Sequence, residues 1–142
     1  MKTLIIDASV AAKWFFPEDL SSAALRLFSP RRRLFAPDLI WSEVANVVWK
    51  RVKRKDVSAD EGRNILEDFL RTPLEIIPSS PLLLVAYELA TATGRTVYDC
   101  LYLSLAVSRN CVLVTADRRF FQAVSRTSLR KHVRLLGIAK RK

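Results

Sequence analysis

The sequence is poor in the residues on which cysteine and histidine chemistry depend. Its 142 residues include two cysteines and one histidine. Cys100 and Cys111 match neither a disulfide framework nor a zinc-ligand spacing, and both fall in apolar patterns that predict buried thiols. His132 lies in a basic segment away from the other motifs, so we expect a surface residue rather than a general base. Together these absences argue against a disulfide-stapled scaffold, a zinc site and a Ser–His–Asp hydrolase.

Glycine and proline are also scarce, with three and six residues, while 50% of the chain is hydrophobic. This composition predicts one helix-rich domain, residues 1–142, which is long enough to bury a core without disulfides. The longest apolar segments, such as 82–87, are far too short to span a bilayer. Asp7 and Lys13 interrupt the N-terminal apolar stretch, and no small-residue cleavage site follows it. We therefore expect a cytoplasmic protein with no signal peptide and no membrane partner.

Acidic residues are outnumbered, because 14 Asp and Glu against 24 Lys and Arg give a net charge of +10. The excess is uneven. The segment 118–142 carries many basic residues and no acid, and 31–33 and 50–55 form two further basic clusters. Such asymmetry favours a polyanionic partner, most often a nucleic acid. A solvated surface or an acidic protein partner would account for the same charge.

Short apolar runs alternate along the chain with segments of helical spacing. Strands are predicted at 4–6, 34–36, 74–77, 111–114 and 133–136. Helices are predicted at 9–16, 21–28, 38–53, 58–70, 80–94, 97–109 and 118–125. This alternation predicts an α/β fold, with a central, mostly parallel sheet flanked by helices on both faces.

Four acidic residues stand where folding alone would not place them. Asp7 directly follows the first apolar run, Asp117 closely follows the fourth, and Glu43 and Asp99 lie beside or within apolar helical stretches. Carboxylates in such positions are costly to desolvate unless they are paired or bind a cation. In a chain of net charge +10, a gathering of carboxylates predicts a divalent-metal site.

The expected fold gives these acids a common location. Ligands of open α/β sheets bind beyond the carboxyl ends of the strands, where Asp7 and Asp117 should project. Asn46, three residues after Glu43, can share its helix face. Taken singly, Asp99 could be a helix-dipole partner, Asp117 a helix N-cap and Glu43 a surface residue. Asp7 is the hardest of the four to explain without a ligand, because it directly ends a buried strand.

A resemblance to a known family rests on four segments: Leu4–Ser9, Trp41–Asn46, Tyr98–Tyr102 and Val114–Phe120. Their order, spacing and flanking residues resemble the PIN domain, specifically VapC-type toxins of prokaryotic toxin–antitoxin systems, over essentially the whole chain. The resemblance implies a PIN-like fold, a homodimer and a Mg²⁺-dependent or Mn²⁺-dependent endoribonuclease. It also implies that a cognate antitoxin blocks the site.

The same resemblance implies five catalytic residues: Asp7, Glu43, Asp99, Asp117 and Thr115. Mg²⁺ and Mn²⁺ prefer oxygen ligands, and the three aspartates are the expected metal ligands, directly or through water. Glu43 would ligate the metal or orient the attacking water, and Ser9 could be a second helper beside Thr115. The chemistry would be metal-assisted hydrolysis of a phosphodiester bond, with one ion or two.

Arg118 and Arg119 directly follow Asp117 and are the nearest candidates for a basic rim that holds the RNA backbone. They could equally be a solvated helix start. The aromatic residues at 14–16, 41 and 49 could stack bases, although we expect most of them to pack in the core or at a dimer interface.

Two other functions fit much of the same pattern. A stand-alone PIN-type nuclease that processes RNA would need the same acids, and a non-catalytic nucleic-acid-binding module would need only the basic clusters. An aspartyl phosphotransferase fits less well, because its usual second acid, two residues after the first, is replaced here by Ser9.

Overall fold

Five parallel strands form the centre of the computed structural model, which describes residues 1–138. The strands are β1 Lys2–Ile6, β2 Arg32–Pro37, β3 Leu74–Ile77, β4 Val112–Thr115 and β5 Val133–Leu135. They lie in the order β3-β2-β1-β4-β5, and every neighbouring pair is parallel. The predicted α/β class and parallel sheet are confirmed. The end of the basic segment, 139–142, lies outside the described residues.

Within residues 1–138 the strands are connected by seven helices. They are α1 Ala8–Ala11, α2 Ser21–Leu25, α3 Leu39–Lys53, α4 Ala59–Leu70, α5 Leu83–Thr93, α6 Val97–Ser108 and α7 Arg118–Ser125. The helix predicted at 9–16 is shorter, because a 3-10 turn at Ala12–Trp14 follows α1 and Pro17 stops the run. The predicted helix start at Ser80 is also a 3-10 turn. Gly94 ends α5 with φ 73°, as its left-handed C-cap role predicts.

Helices cover both faces of the sheet. In a parallel pair, residues in register point to the same face, so Leu4 and Leu34 share one face while Ile5 and Phe35 share the other. Leu27, just after α2, packs over the first face, and the Arg109 guanidinium at the end of α6 lies 4.4 Å from the Phe35 ring on the second. Because both faces are buried, the central strands are uniformly apolar rather than alternating.

His132 is buried, which corrects the prediction that it lies on the surface. A 3-10 turn at Arg130–His132 folds the ring inward just before β5. Its Nδ1 lies 2.9 Å from the carbonyl oxygen of Cys111 and donates to it. The imidazole therefore tethers two neighbouring strands and lies apart from the acidic residues. Cys100 is buried as expected, whereas Cys111 is half-buried.

Most of the aromatic residues pack in the interior, as predicted. Trp14 and Phe16 are buried, and the rings of Phe15 and Trp41 both pack against Phe69. Trp49 is the exception among those five, since 55% of it is exposed. No helix within residues 1–138 combines the length and apolarity needed to cross a membrane.

Candidate active site

The carboxyl ends of β1 and β4 lie side by side, and each is followed by an aspartate that caps a helix. Ile6 is in register with Val114, so the chain leaves both strands at the same edge. Asp7 then caps α1 by accepting a hydrogen bond from the Val10 N–H at 3.2 Å. Asp117 caps α7 by accepting one from the Phe120 N–H at 3.0 Å. The parallel sheet therefore directs two carboxylates from distant parts of the chain to one place.

Two helices bring the other predicted acids to the same edge. Glu43 lies on α3, and Asp99 lies in the first turn of α6, behind the N-cap Thr96. All four acids line one small cavity of about 100 Å³, together with Ser9 and Tyr102. The structure thus gathers the carboxylates that the sequence singled out. Thr115 is fully buried and does not line this cavity.

Asp7 is the most deeply buried of these acids. Its Oδ1 accepts a hydrogen bond of 2.5 Å from the Ser9 hydroxyl as well as the one from Val10. Burial raises the pKa of Asp7 to about 6, against the opposing effect of those hydrogen bonds, and repulsion from Asp99 adds a smaller increase. Asp7 therefore holds its charge at a cost that a nearby cation would offset.

A small hydroxyl network fixes the backbone between β4 and α7. The Ser9 oxygen accepts a hydrogen bond from the Ala116 N–H at 2.9 Å and lies 3.5 Å from the Thr115 hydroxyl. The Thr115 oxygen in turn accepts from the Asp117 N–H at 3.1 Å. Ser9 and Thr115 thereby join the loops that carry the two strand-end aspartates and position those carboxylates. Of the two hydroxyl residues, Ser9 lines the cavity and Thr115 does not.

Glu43 is paired with a tyrosine that the sequence pattern did not single out. The Tyr102 hydroxyl donates to Glu43 Oε1 at 2.7 Å. Burial raises the pKa of Glu43, the Tyr102 hydrogen bond opposes that rise, and Asp99 adds to it. Burial and the adjacent Glu43 charge raise the pKa of Tyr102 well above its ordinary value, so this phenol stays protonated and remains a donor.

Arg95 bridges the remaining two acids, and sequence reasoning missed it. Its Nη2 lies 3.3 Å from Asp99 Oδ2 and 3.2 Å from Asp117 Oδ2. Its Nε is buried with no hydrogen-bond partner in the described part of the chain. Burial raises the pKa of Asp99, and the Arg95 charge opposes that increase. Arg95 lies in the loop between α5 and α6, before the N-cap Thr96, so no helical spacing in the sequence signals this contact.

The other predicted residues lie around the cavity rather than in it. Arg118 and Arg119 are exposed at the start of α7 and do not line the cavity. Asn46 shares a larger adjoining groove of about 550 Å³ with Glu43, and Tyr98 and Lys50 also line it. This groove extends the site along α3.

The donor set fits a hard divalent cation, although the carboxylates do not converge fully. Within residues 1–138, no three His, Cys, Asp or Glu side chains already form a group that could hold a metal ion. Mg²⁺ usually binds through one or two carboxylates and keeps several waters, so it does not need three converging acids. Four oxygen-bearing acids around one cavity, three of them with raised pKa values, match that preference.

Comparison with known proteins agrees with this fold. The family model of the PIN domain matches residues 4–126, so the chain belongs to the PIN-domain family. It is 36% identical over 118 residues to Ribonuclease VapC3 of Pyrobaculum aerophilum, which covers 82% of this chain and 90% of that protein.

Two solved structures are similar in fold. The Rickettsia felis VapBC2 structure, bound to a DNA fragment from their promoter, aligns with a TM-score of 0.66 and 18% identity, covering 94% of this chain and 98% of that one. Mycobacterium tuberculosis VapC20, described as a sarcin-ricin loop cleaving toxin, aligns with a TM-score of 0.66 and 15% identity, covering 84% and 94%. At these identities the two structures establish the shared fold.

The burial of Asp7 predicts a specific dependence of stability on pH. Its folded pKa of about 6 lies above the ordinary 3.8, so its contribution to stability is present below pH 4 and is lost as the pH rises through 6. At pH 8 the buried charge costs roughly 3 kcal/mol. Asp7→Asn, which keeps the acceptor oxygen, should therefore be more stable than wild type at pH 8 in buffer free of divalent cations, and this advantage should shrink towards pH 4.

Urea unfolding at pH 4, 6 and 8 measures this effect, with the exposed Asp68→Asn on α4 as the matched control. The difference in unfolding free energy between Asp68→Asn and wild type should be no larger at pH 8 than at pH 4. An Asp7→Asn advantage that stays constant with pH would contradict the buried-charge explanation.

Proposed function

We propose that the protein is an endoribonuclease that hydrolyses phosphodiester bonds in RNA with the help of Mg²⁺, for which Mn²⁺ could substitute. The observation that carries this proposal is the cavity lined by four carboxylates in a chain of net charge +10. Membership of the PIN-domain family and the similarity to Ribonuclease VapC3 support it. We further propose that residues 1–142 form one nuclease domain that acts in the cytoplasm.

Asp7, Asp99 and Asp117 would hold the cation, because they surround the cavity from the sheet edge and from α6. When bound, Mg²⁺ would polarise the phosphoryl group, lower the pKa of water and stabilise charge on the leaving oxygen. Ser9 and Thr115 would keep the strand-end aspartates in place through their hydrogen bonds to this region.

Glu43 is the residue best suited to accept a proton from the attacking water. Its raised pKa brings it closer to neutrality, where a general base is effective, and the Tyr102 hydroxyl fixes one of its oxygens. In the hydrolysis, the water oxygen bonds to phosphorus, its proton passes to Glu43, and the bond from phosphorus to the leaving ribose oxygen breaks. That oxygen then takes up a proton from solvent.

The same chain would act as the toxin of a toxin–antitoxin pair. The groove beside the acids has apolar walls that include Leu39 and Val47, so a segment of a cognate antitoxin could lie there and block the cavity. The similarity to VapC proteins and to VapBC2 supports this role.

We also propose a homodimer formed through α5, which exposes Leu83, Leu84, Val85 and Tyr87 to solvent. In a two-fold dimer the same patch of each protomer packs against its copy, which would bury these exposed apolar side chains. Leu84 is 77% exposed, and Leu84→Asp should convert the dimer to a monomer in size-exclusion chromatography with light scattering. Leu70→Asp, a matched change at an exposed leucine of α4, should leave the dimer intact; monomer in both variants, or dimer in both, would contradict this interface.

Asp7→Asn should lower RNA cleavage by at least roughly 100-fold, because it removes a charge that would hold the cation. The measurement is cleavage of a panel of structured RNAs with Mg²⁺ by wild type, by Asp7→Asn and by the exposed Asp68→Asn. The Asp68 variant should cleave like wild type, and EDTA should abolish all activity. Equal cleavage by wild type and Asp7→Asn, or wild-type activity that persists in EDTA, would disprove the mechanism.

Arg95 should compete with the cation for Asp99 and Asp117, because its guanidinium lies between them. Arg95→Met should therefore bind Mn²⁺ roughly three- to tenfold more tightly than wild type in calorimetric titration, the range expected from losing charged hydrogen bonds that are partly exposed.

Arg63→Met is the matched control for Arg95→Met, since Arg63 forms an exposed i,i+4 ion pair with Glu67 at the same distance of 3.3 Å. It should leave Mn²⁺ affinity unchanged. Weaker Mn²⁺ binding by Arg95→Met would mean that Arg95 supports the site rather than competing for it.

A further inference from the structure

A second pocket, on the face of the sheet covered by α2, is lined by basic and apolar residues and, in the described part of the chain, by no acidic residue. Its volume is about 570 Å³. The basic residues in its walls are Lys2, Arg26, Arg32 and Arg134. It shares no lining residue with the acidic cavity, and no role proposed above uses it.

Strand register explains why these residues meet. Lys2 pairs with Arg32, and Val114 pairs with Arg134, so each pair points to one face of the sheet. Ile6 is in register with Val114, so these two side chains point to the same face. Side chains alternate along a strand, so Lys2, Leu4 and Ile6 share that face, and both basic pairs therefore lie on it. Arg26, the C-cap of α2, completes the group from above this face.

The three arginines of the pocket have no acidic partner in the described part of the chain. Arg32 donates to the backbone carbonyl of Arg26 at 2.8 Å, and no ion pair within residues 1–138 involves Arg26, Arg32 or Arg134. The next residue, Arg33, points to the other face and forms two hydrogen bonds with Glu75. Within residues 1–138, the sheet therefore pairs Arg33 with an acid on one face and leaves the pocket arginines without an acidic partner on the other.

Partial burial raises the electrostatic cost of holding these arginines together. Arg134 is half-buried, and burial lowers its pKa, with repulsion from Arg32 as the second cause. Like charges held together in a partly desolvated pocket destabilise the protein unless an anion enters. A ligand with several negative charges would offset this cost.

We propose that this pocket binds a backbone phosphate of RNA at a distance from the bond that is cut. The inference rests on the proposed ribonuclease function. Arginine guanidinium groups match phosphate geometry with two parallel hydrogen bonds. Val114, in the pocket wall and in register with Arg134, stands three residues before Asp117, so at most about 10 Å of backbone separates this part of the pocket from the acidic site.

An RNA strand is the occupant that this spacing favours. Phosphates recur at every nucleotide, so a strand held at the acidic cavity brings further phosphates within reach of the pocket without any sequence requirement. An acidic peptide would need carboxylates placed to match three arginines. The pocket would therefore contribute affinity, and its contribution would not depend on base sequence.

The test is the salt dependence of RNA binding, measured by fluorescence anisotropy of a labelled single-stranded oligonucleotide in EDTA. Arg134→Gln should bind roughly three- to tenfold more weakly at moderate salt, and the slope of log affinity against log salt should fall by about 0.7. Arg26→Gln, an exposed position in the same pocket, should show the same change and guards against a folding defect at Arg134.

Arg63→Gln removes the same charge from an exposed position on α4 and should bind like wild type. Equal weakening by Arg63→Gln, or wild-type binding by both pocket variants, would overturn the proposal. So would competition by polyglutamate as strong as that by unlabelled RNA at equal charge, since the site would then recognise acidic protein.

Binding in EDTA is separate from hydrolysis, so the two proposals can fail independently. If wild type fails to cleave RNA but the pocket variants still lose affinity and salt slope, the phosphate pocket stands and the nuclease proposal falls. If cleavage is normal and the pocket variants bind like wild type, the nuclease proposal stands and the phosphate pocket falls.

Discussion

The parallel alignment of β1 and β4 is the constraint on which the acidic cavity depends. Because the two strands run side by side in the same direction, the chain must leave both at one edge, and an aspartate follows each strand within two residues. Asp7 and Asp117 are held at this edge because each accepts a hydrogen bond from a backbone N–H in the first turn of the helix that follows. The same carboxylates therefore cap the helices that follow and line the cavity.

Gathering acids in this way creates an electrostatic cost that the protein offsets only in part. Arg95 forms ion pairs with Asp99 and Asp117 that offset one of their two negative charges, and the Tyr102 hydroxyl donates a hydrogen bond to Glu43. Asp7 accepts hydrogen bonds but has no cationic partner within residues 1–138. It is the most deeply buried of the four acids, and burial raises its pKa to about 6. A cation that entered the cavity would offset the largest electrostatic cost at Asp7, so the burial of the acids would favour the metal binding proposed above.

Sequence reasoning located the strands and the four acids, because buried parallel strands are apolar runs and because a carboxylate at the end of such a run is conspicuous. It missed Arg95, since its contact with Asp117 joins residues 22 positions apart and depends on how α6 packs beside β4. Tyr102 was hidden within an apolar helix, where a phenol looks like core. His132 was misjudged because its neighbours are basic, whereas the 3-10 turn that buries it leaves no periodic signal.

The two faces of the sheet also explain how one small domain can hold both acids and unneutralised arginines. The acids occupy the edge where the strands end, while the basic pocket opens on the face under α2, so β4 separates opposite charges that would otherwise pair. An ion pair between Arg134 and Asp117 would reduce the charge of both sites. Holding them apart keeps each available for a ligand of opposite charge. One RNA strand with a bound cation would satisfy the acids through the metal and the arginines through its phosphates.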